Sequence, residues 1–512
     1  MGATERVPNE LWLEVLKNVS EYDPTTLSSF SFTCRALNRV SRPLVFSQFN
    51  FTPYLVTSKD ELRLPSSTTI DRLLERLAFW SSADIAPFVR YCNIRALCAK
   101  WSWGAGTNEK AEWSVSTDSP HILLDALFEC LAQFTGLQRL RASHVYFTQA
   151  MVDILCRLPV LPFNLGIYWC YVAPGERVNP TQQALRVSKL DIVSEKEREY
   201  SDDHWILLLH PEHLRSLRAD FDARFMGQTL DAIPSFPNVE ELTVTLNLPT
   251  PSKNLGILYK FPAVRILKLF GKADGVFPPS RSHTSPIFPR LREYSGQHQP
   301  LPMFFPVSTL THLKISKCSY KGLITTLGEI GGLNSIVSFH TEFSQFTTMA
   351  FLAILELLPH LTELAIRIVF KSTHSMFSRH IYSEEFELKE DEVVHGKYGD
   401  GLLADFKPST FFLALSSIST LPPSLERLAI SWECYEEEFW DERVAYRLPK
   451  FEQLRDALVV KCPRLTWLYL DGHYFMYQWR ITPEGVVKEE TATKFLEAYG
   501  QRQGAESFWE LW

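Results

Sequence analysis

A short apolar pattern recurs along most of this 512-residue chain and limits what it can fold into. Each copy has an apolar residue, two spacers, a second apolar residue, one spacer and a third apolar residue. In one run the first positions are residues 137, 162, 187, 214, 239, 264 and 291, with steps of 25, 25, 27, 25, 25 and 27. Alternating apolar residues within a copy indicate a short strand with one buried face. The even spacing predicts a repeat architecture.

Some copies of the pattern are clear and others are degenerate. The clear copies are Leu214/Leu217/Ala219, Val239/Leu242/Val244, Val264/Leu267/Leu269, Leu310/Leu313/Ile315, Leu361/Leu364/Ile366, Leu425/Leu428/Ile430 and Leu465/Leu468/Leu470. The degenerate copies are Val89/Cys92/Ile94, Leu137/Leu140/Ala142, Pro162/Leu165/Ile167, Val187/Leu190/Ile192, Leu291 with Tyr294, and Leu333/Ile336. Helices are predicted between strands at 121–134, 149–158, 348–358, 409–418 and 450–461. One strand with one helix cannot bury its own apolar face, so the units are expected to stack.

The regular spacing of the copies is interrupted between Leu361 and Leu425, which are 64 residues apart. Within this interval, residues 371–407 are rich in charged side chains and predict an inserted loop. Insertions in repeat arrays map to one face, which is often the binding face. The alternative interpretation is a tolerated surface loop without a binding role.

The first fifty residues have a different character from the repeats. Apolar residues between Leu11 and Val19 recur at helical spacing, and Pro8 suits the first turn of that helix. Asp23 and Pro24 predict the cap and first residue of a second helix, and a third apolar segment runs to Pro43. Three short helices in about 40 residues make a marginal core, and a module of that size usually needs a partner.

Two short motifs in this segment, in a fixed order, carry a resemblance to a known family. The chain reads Val7-Pro8-Asn9-Glu10-Leu11 and later Thr33-Cys34-Arg35-Ala36-Leu37-Asn38. Residues 5–50 therefore resemble the F-box, whose pattern runs from Leu-Pro-x-Glu to a Cys-Arg or Ser-Arg pair. Val7 replaces the usual leucine, and the tryptophan that often follows the Cys-Arg pair is absent.

The repeats resemble a second family. Their spacing and apolar pattern are similar to leucine-rich repeats, in which Asn or Cys at the ninth position satisfies backbone groups. Cys170, Asn247 and Cys318 occupy that position here, and the remaining copies lack it. The chain thus looks like an F-box protein with degenerate leucine-rich repeats, similar to fungal-type F-box proteins.

The two resemblances together imply an α/β architecture. An all-helical F-box over 5–50 is followed by a linker or first helical cap over 51–84. A leucine-rich-repeat-like solenoid, a horseshoe with parallel strands on its concave face, is expected over 85–470. Residues 471–512 are expected to form a C-terminal cap and tail, because terminal repeats must be capped.

The F-box resemblance implies binding to the Skp adaptor and, through it, to cullin. The expected adaptor contacts are Pro8, Leu11, Trp12, Leu16, Leu27 and Leu37. Alternatively, these side chains pack among themselves or against the repeats. The implied role is client recognition in a ubiquitin ligase, with the repeats binding a client protein. A non-catalytic interaction scaffold outside ubiquitination is the alternative, and an enzyme hidden in the repeats is the third hypothesis.

Residues 432–442, WECYEEEFWDE, are a candidate client contact because aromatic and acidic side chains are mixed there. The candidate contacts are Trp432, Tyr435, Glu436, Glu437, Glu438 and Trp440. The equally simple alternative is a helix with a buried aromatic side and a solvated acidic face.

Composition and motifs exclude several classes of protein. The net charge is −7, which argues against a nucleic-acid binder. Phosphate-binding loops, zinc-protease motifs and nucleophile elbows are missing from the sequence, so no cofactor, metal or catalytic residue is expected. No apolar run has the length of a membrane span, and no secretory signal is visible. Nine scattered cysteines favour a reducing compartment, either the cytoplasm or the nucleus.

Overall fold

A computed structural model gives the fold of this chain. It describes residues 8–22, 24–57, 59–98, 113, 119–158, 163–173, 184–193, 203–222, 233–247, 255–270, 287–304, 309–331, 333–343, 348–370, 411, 415, 421–434, 450–472 and 475–492. The chain divides into two compact units, Met1–Val264 and Arg265–Trp512. Both are mixed α/β with mainly parallel sheets, as the repeated pattern predicts.

The first unit begins with three consecutive helices, α1 (Asn9–Tyr22), α2 (Pro24–Thr33) and α3 (Arg35–Val45). The helices that follow are α4 (Ser67–Trp80), α5 (Ile122–Leu131), α6 (Gln149–Arg157) and α7 (Asp203–Leu207). Two 3-10 turns span Ala86–Phe88 and Leu255–Lys260. Helices α5 and α6 lie within the predicted ranges 121–134 and 149–158, and both bury apolar side chains.

The main sheet of the first unit is parallel. Its strands in spatial order are β1 (Gln48–Phe51), β4 (Tyr91–Arg95), β6 (Arg139–Ser143), β8 (Phe163–Tyr168), β10 (Val187–Val193), β11 (Ser216–Asp222) and β12 (Glu241–Asn247). Short pairings involve β2 (Leu55–Val56), β3 (Leu62–Arg63), β5 (Leu97–Cys98), β7 (Tyr146–Phe147) and β9 (Tyr171–Val172). Neighbours in the main sheet follow chain order, because each crossover returns the chain to the adjacent strand.

The second unit continues the same construction. Its sheet runs in the order β13 (Ile266–Phe270), β14 (Glu293–Gly296), β15 (His312–Cys318), β16 (Ser338–Phe343), β17 (Glu363–Phe370), β18 (Arg427–Cys434), β19 (Trp467–Gly472), β20 (Phe475–Ile481) and β21 (Val487–Ala492). Strands β13 to β19 are parallel, whereas β20 and β21 are antiparallel. Helices α8 (Tyr320–Ile330), α9 (Thr348–Leu357) and α10 (Phe451–Lys461) and 3-10 turns Leu301–Met303 and Leu333–Ser335 connect the strands.

The apolar triplets form the cores of the sheets. The second and third positions of a copy lie in a strand, and successive copies pair in register, as Leu217 does with Leu242 and Ala219 with Val244. These four side chains are fully or almost fully buried. The physical cause is the two-residue period of a strand, which directs alternate side chains to one face.

One predicted copy is wrong in its register. The sequence pattern placed it at Leu333/Ile336, but the strand begins only at Ser338, so Ile336, Phe339 and Thr341 occupy the three positions. Leu333 belongs to the 3-10 turn before the strand and is buried there. The error arises because Leu333 and Ile336 have the spacing of the first two positions and the third position is a threonine.

The predicted insertion does not interrupt the sheet. Strands β17 and β18 pair directly through eight consecutive residue pairs, from Glu363↔Arg427 to Phe370↔Cys434. Residues 371–407 lie outside the described residues, as does most of the predicted helix 409–418. At the end of the sheet, β20 and β21 fall within the predicted C-terminal cap of 471–512. Across the described parts of the chain, no helix is long and apolar enough to cross a membrane.

Candidate functional site

The N-terminal helices form a small core of their own. Leu16 of α1, Leu27 of α2 and Leu37 of α3 are at most 5% exposed. Cys34 caps α3, because its Sγ accepts the Leu37 N–H at 3.5 Å. The side chain of Asn38 donates to the Ser31 carbonyl at 3.0 Å and links α3 to α2. Asn38 therefore links α3 to α2, while Cys34 stabilises the start of α3.

Other apolar side chains of this module remain at the surface. Leu11 is 58% exposed, Val15 is 48% exposed and Phe32 is 83% exposed. Leu11 and Val15 are four residues apart and share one face of α1, and Pro8 at the start of that face is also exposed. Large exposed apolar side chains on so small a module are typical of an interaction surface.

The six predicted adaptor contacts thus divide into two groups. Pro8 and Leu11 are exposed and Trp12 is half-buried, so these three lie at or near the surface. The other three are the buried residues Leu16, Leu27 and Leu37, which support the helices from inside. The two other exposed apolar residues, Val15 and Phe32, were not among the predicted contacts.

Aromatic packing fixes the third helix to the first strand. Phe46, directly after α3, contacts the rings of Phe79 and Trp80 at centroid distances of 6.0 and 5.4 Å. Trp80 in turn lies 5.0 Å from Phe49 of β1. The guanidinium of Arg42 lies 5.9 Å above the ring of Phe88. The helices are therefore attached to the sheet by packed side chains and not by a flexible tether.

The face of the first unit's sheet opposite its core carries polar and aromatic side chains. Arg141 of β6 stacks its guanidinium 4.2 Å from the ring of Tyr168 of β8. Just beyond these strands, His144 and Trp169 stack at 5.1 Å with an interplanar angle of 16°. Both have positive φ values, 56° and 52°, at equivalent places in consecutive repeats. Tyrosine, tryptophan and arginine are the residues most often central to protein interfaces.

In the second unit's sheet, the face opposite the core is exposed in one part and buried in another. Ala365 and Ala429 are 0% exposed and Tyr469 is 5% exposed, although each lies between core positions of its strand. Together with Met476 they form a buried apolar cluster, against which Trp467 packs. Strands β17 to β19 are thus buried on both faces, and open strand surface lies at β13 to β15.

The predicted client contacts are almost entirely outside the described residues. Only the backbone of Trp432 is described, within β18, and its neighbours Ile368 and Ser431 are buried. Tyr435, Glu436, Glu437, Glu438 and Trp440 lie beyond the described end of that strand. Their role as client contacts stays a prediction.

The buried cysteines have structural environments. Burial raises the pKa of the Cys92 and Cys318 thiols to about 12, the opposite of what a nucleophile needs. Cys170 Sγ donates to the Tyr168 carbonyl at 3.4 Å, and Cys318 Sγ lies 3.8 Å from the Glu342 carbonyl. These two ninth-position thiols contact backbone carbonyls. The side chain of the third such residue, Asn247, is outside the described atoms.

In the ranges that the structure describes, no group of three or more His, Cys, Asp or Glu side chains is placed to hold a metal ion. The rings of His210 and His213 approach to 4.6 Å, and the Glu212 N–H donates to His210 Nδ1 at 3.4 Å. The two histidines therefore shape the turn before β11.

A buried histidine makes stability depend on pH. Burial, together with the charges of Lys314 and His312, lowers the pKa of His340 from 6.5 to about 4. The unfolded chain therefore binds one more proton than the folded chain between these values. We expect the free energy of unfolding to fall by about 2 kcal/mol between pH 7 and pH 5 through this residue.

Denaturant unfolding of wild type and His340→Gln at both pH values measures this contribution. The variant should lose that part of the pH dependence. His360→Gln is the matched control, because His360 is exposed and should leave the pH dependence unchanged. An unaltered pH dependence in His340→Gln would contradict the assignment.

No protein-family model matches the sequence, and no curated protein matches it either.

Proposed function

We propose that this chain is a client-recognition subunit of a Skp–cullin–F-box ubiquitin ligase. The N-terminal helices would bind the Skp adaptor, and the open faces of the repeat-built sheets would bind a client. The observation that carries the proposal is the division of the first helix into a buried side and an exposed apolar side. Leu16 completes the module core, while Leu11 and Val15 remain uncovered.

The motif residues support the same assignment. Cys34 of the Cys-Arg pair caps α3, and Asn38 in the same motif donates to the Ser31 carbonyl of α2 at 3.0 Å. Burying Leu11, Val15 and Phe32 against a partner would add hydrophobic free energy that the isolated module cannot obtain. This arrangement supports a docking role for the module.

The attachment of the module to the sheet supports a positional mechanism. The ring contacts of Phe46, Trp80 and Phe49 connect α3 to β1 without a flexible linker. A rigid connection holds a client at a defined place relative to the adaptor. The ligase would then act by raising the effective concentration of client lysines near the conjugating enzyme. No residue of this chain would take part in bond chemistry.

The role of Leu11 and Val15 in adaptor binding can be tested by replacing both with charged residues. In full-length chain co-expressed with the Skp adaptor, Leu11→Asp with Val15→Asp should reduce co-purified adaptor by about tenfold or more, since two apolar contacts would be replaced by desolvated charges. Met349→Asp with Val460→Asp is the matched control, because both residues are similarly exposed and lie far along the chain on α9 and α10. Circular dichroism verifies that both double variants fold.

The outcomes of this experiment distinguish the proposed ligase function from its alternatives. If the Leu11/Val15 variant binds the adaptor as well as the wild type does, the assignment of this side of α1 to adaptor binding is wrong. If the purified complex contains the adaptor but no cullin, the chain is an interaction scaffold and not a ligase subunit. Affinity purification under proteasome inhibition then identifies clients, whose ubiquitinated forms should accumulate with the wild-type chain and not with the docking variant.

A further inference from the structure

Strand β21 forms the last edge of the second unit's sheet. Among the described strands its only neighbour is β20, to which a tight turn at residues 482–486 connects it. Residues 487–491 of β21 are all exposed. An edge strand carries a row of backbone N–H and C=O groups that can pair with another strand. The outer edge of β21 is therefore a candidate for pairing between chains.

The hydrogen bonds at the turn determine which residues of β21 point outward. The Thr482 N–H donates to the Val486 carbonyl at 2.9 Å, so the backbone of Val486 points toward β20. The Ile481 N–H donates instead to the Thr466 carbonyl at 2.8 Å, on the side of β19. Bonded and non-bonded residue pairs alternate along an antiparallel ladder, so every second residue of β21 directs its backbone groups outward. The outward-pointing residues are Val487, Glu489 and Thr491.

The charges of β21 suit pairing with an identical strand. Lys488 and Glu490 share one face of the strand and lie on either side of Glu489. If two copies of β21 pair antiparallel about a two-fold axis at Glu489, Lys488 of each copy lies opposite Glu490 of the other. These are non-hydrogen-bonded pairs, in which the Cα atoms are about 4.5 Å apart and the side chains are closest. Opposite charges directly across a ladder favour the pairing.

The backbone and the charges select the same register. Hydrogen bonds between the chains require the axis to pass through an outward-pointing residue, which excludes Lys488 and Glu490. An axis at either of these two residues would also place like charges opposite each other. With the axis at Glu489, the outward-pointing residues face each other and can form about six backbone hydrogen bonds. An axis at Val487 or Thr491 leaves fewer facing residues.

The charges next to β21 are compatible with this register. Arg480 of β20 lies directly beside Lys488, so a carboxylate on the other side of Lys488 offsets the repulsion between the two cations. Glu489 meets its own copy at the axis. Each Glu489 carboxylate forms an ion pair with Arg455 of α10 at 2.7 Å and accepts the Tyr477 hydroxyl at 2.7 Å. The two axial carboxylates therefore each have a cation and a donor within their own chain.

We propose that two copies of this chain form a two-fold symmetric dimer in which their β21 strands pair antiparallel about Glu489. The pairing is isologous, so it closes at two chains and leaves no outer edge at β21. It goes beyond the proposed function, since neither the adaptor nor a client takes part in it. Two short strands bury less surface than a standard interface of about 1,600 Å², so we expect a dissociation constant on the order of 10 µM.

Analytical ultracentrifugation of the full-length chain between about 1 and 200 µM measures this equilibrium. The wild type should change from monomer to dimer across that range. Lys488→Glu and Glu490→Lys should each weaken dimerisation by about tenfold or more, because each places like charges opposite each other. An equimolar mixture of the two variants should dimerise again, since the introduced charges are complementary. Lys321→Glu, which makes the same charge change at an exposed position of α8, is the matched control.

Thr491→Pro examines the backbone ladder separately. The Thr491 N–H points outward, so proline should leave the β20–β21 hairpin intact while it removes about two of the hydrogen bonds between the chains. In the wild type, hydrogen exchange of the outward-pointing amides should slow as the protein concentration rises. In Thr491→Pro it should not, and circular dichroism verifies that the variant folds.

The outcomes distinguish this dimer from other arrangements. A monomer at every concentration overturns the proposal, as would follow if residues 493–512 of the same chain covered the outer edge. A dimer that Lys488→Glu and Thr491→Pro leave unchanged has its interface elsewhere, which also overturns it. If the mixed variants stay monomeric, the register about Glu489 is wrong. Lys488→Glu should still co-purify with the Skp adaptor, so that loss of the dimer and loss of adaptor binding are separate results.

Discussion

Replacing Gly296 with alanine is expected to destabilise the second unit by about 3 kcal/mol. Gly296 lies in β14, paired with Leu269 on one side and Ile315 on the other. A Cβ atom at this position would overlap the carbonyl oxygen of Leu269. That oxygen belongs to the backbone of a paired strand, so it cannot rotate away as a side chain would. Relief requires the separation of β13 from β14.

Hydrogen exchange measured by mass spectrometry locates this effect. Amides of β13 and β14 should exchange faster in Gly296→Ala, and the thermal midpoint should fall. Gly328→Ala is the control, because Gly328 lies inside α8 with no atom within 4 Å of an added Cβ. There alanine should stabilise by about 0.5–1 kcal/mol. Similar effects of both substitutions would show that the clash is not the cause.

Replacing Phe49 with alanine is expected to cost about 4 kcal/mol in the first unit. Phe49 is 0% exposed, and its ring centroid lies 5.8 Å from that of Phe51, 5.0 Å from Trp80 and 5.9 Å from Phe134. The guanidinium of Arg76 lies 5.6 Å above the same ring. Truncation would leave a cavity at the junction between the N-terminal helices and the sheet.

The destabilisation caused by Phe49→Ala should extend beyond β1. Exchange should accelerate in α3 as well, because Phe46 reaches the sheet through Trp80, a neighbour of Phe49. Phe79→Ala provides the comparison, since Phe79 is 52% exposed and its loss should cost less than about 1 kcal/mol. If α3 stays fully protected in Phe49→Ala, the helices do not depend on this junction.

Much of the sheet could be predicted from the sequence because one physical rule produces it. A parallel strand with one buried face needs apolar residues two apart, and Leu242 with Val244 or Leu428 with Ile430 satisfies that need locally. Strand β1 was missed even though Phe49 and Phe51 have the same spacing. It begins within the range assigned to the F-box, and it starts 43 residues before β4, its neighbour in the main sheet, which hides the repeat.

The candidate docking surface was only partly predictable. Helical spacing identifies the stripe that contains Leu11, Val15 and Leu16, but it cannot say which side chains the other helices cover. That depends on how α2 and α3 pack, which places Leu16 inside and leaves Leu11 and Val15 outside.

The direct pairing of β17 with β18 makes the intervening residues a place for protein engineering. The ladder holds the ends of that interval together whatever its length. Closing a longer loop costs only about 0.6 kcal/mol for each doubling of its length. A fluorescent protein or an affinity tag inserted between 371 and 407 should therefore leave the sheet intact, and it would report on the chain while both termini stay free.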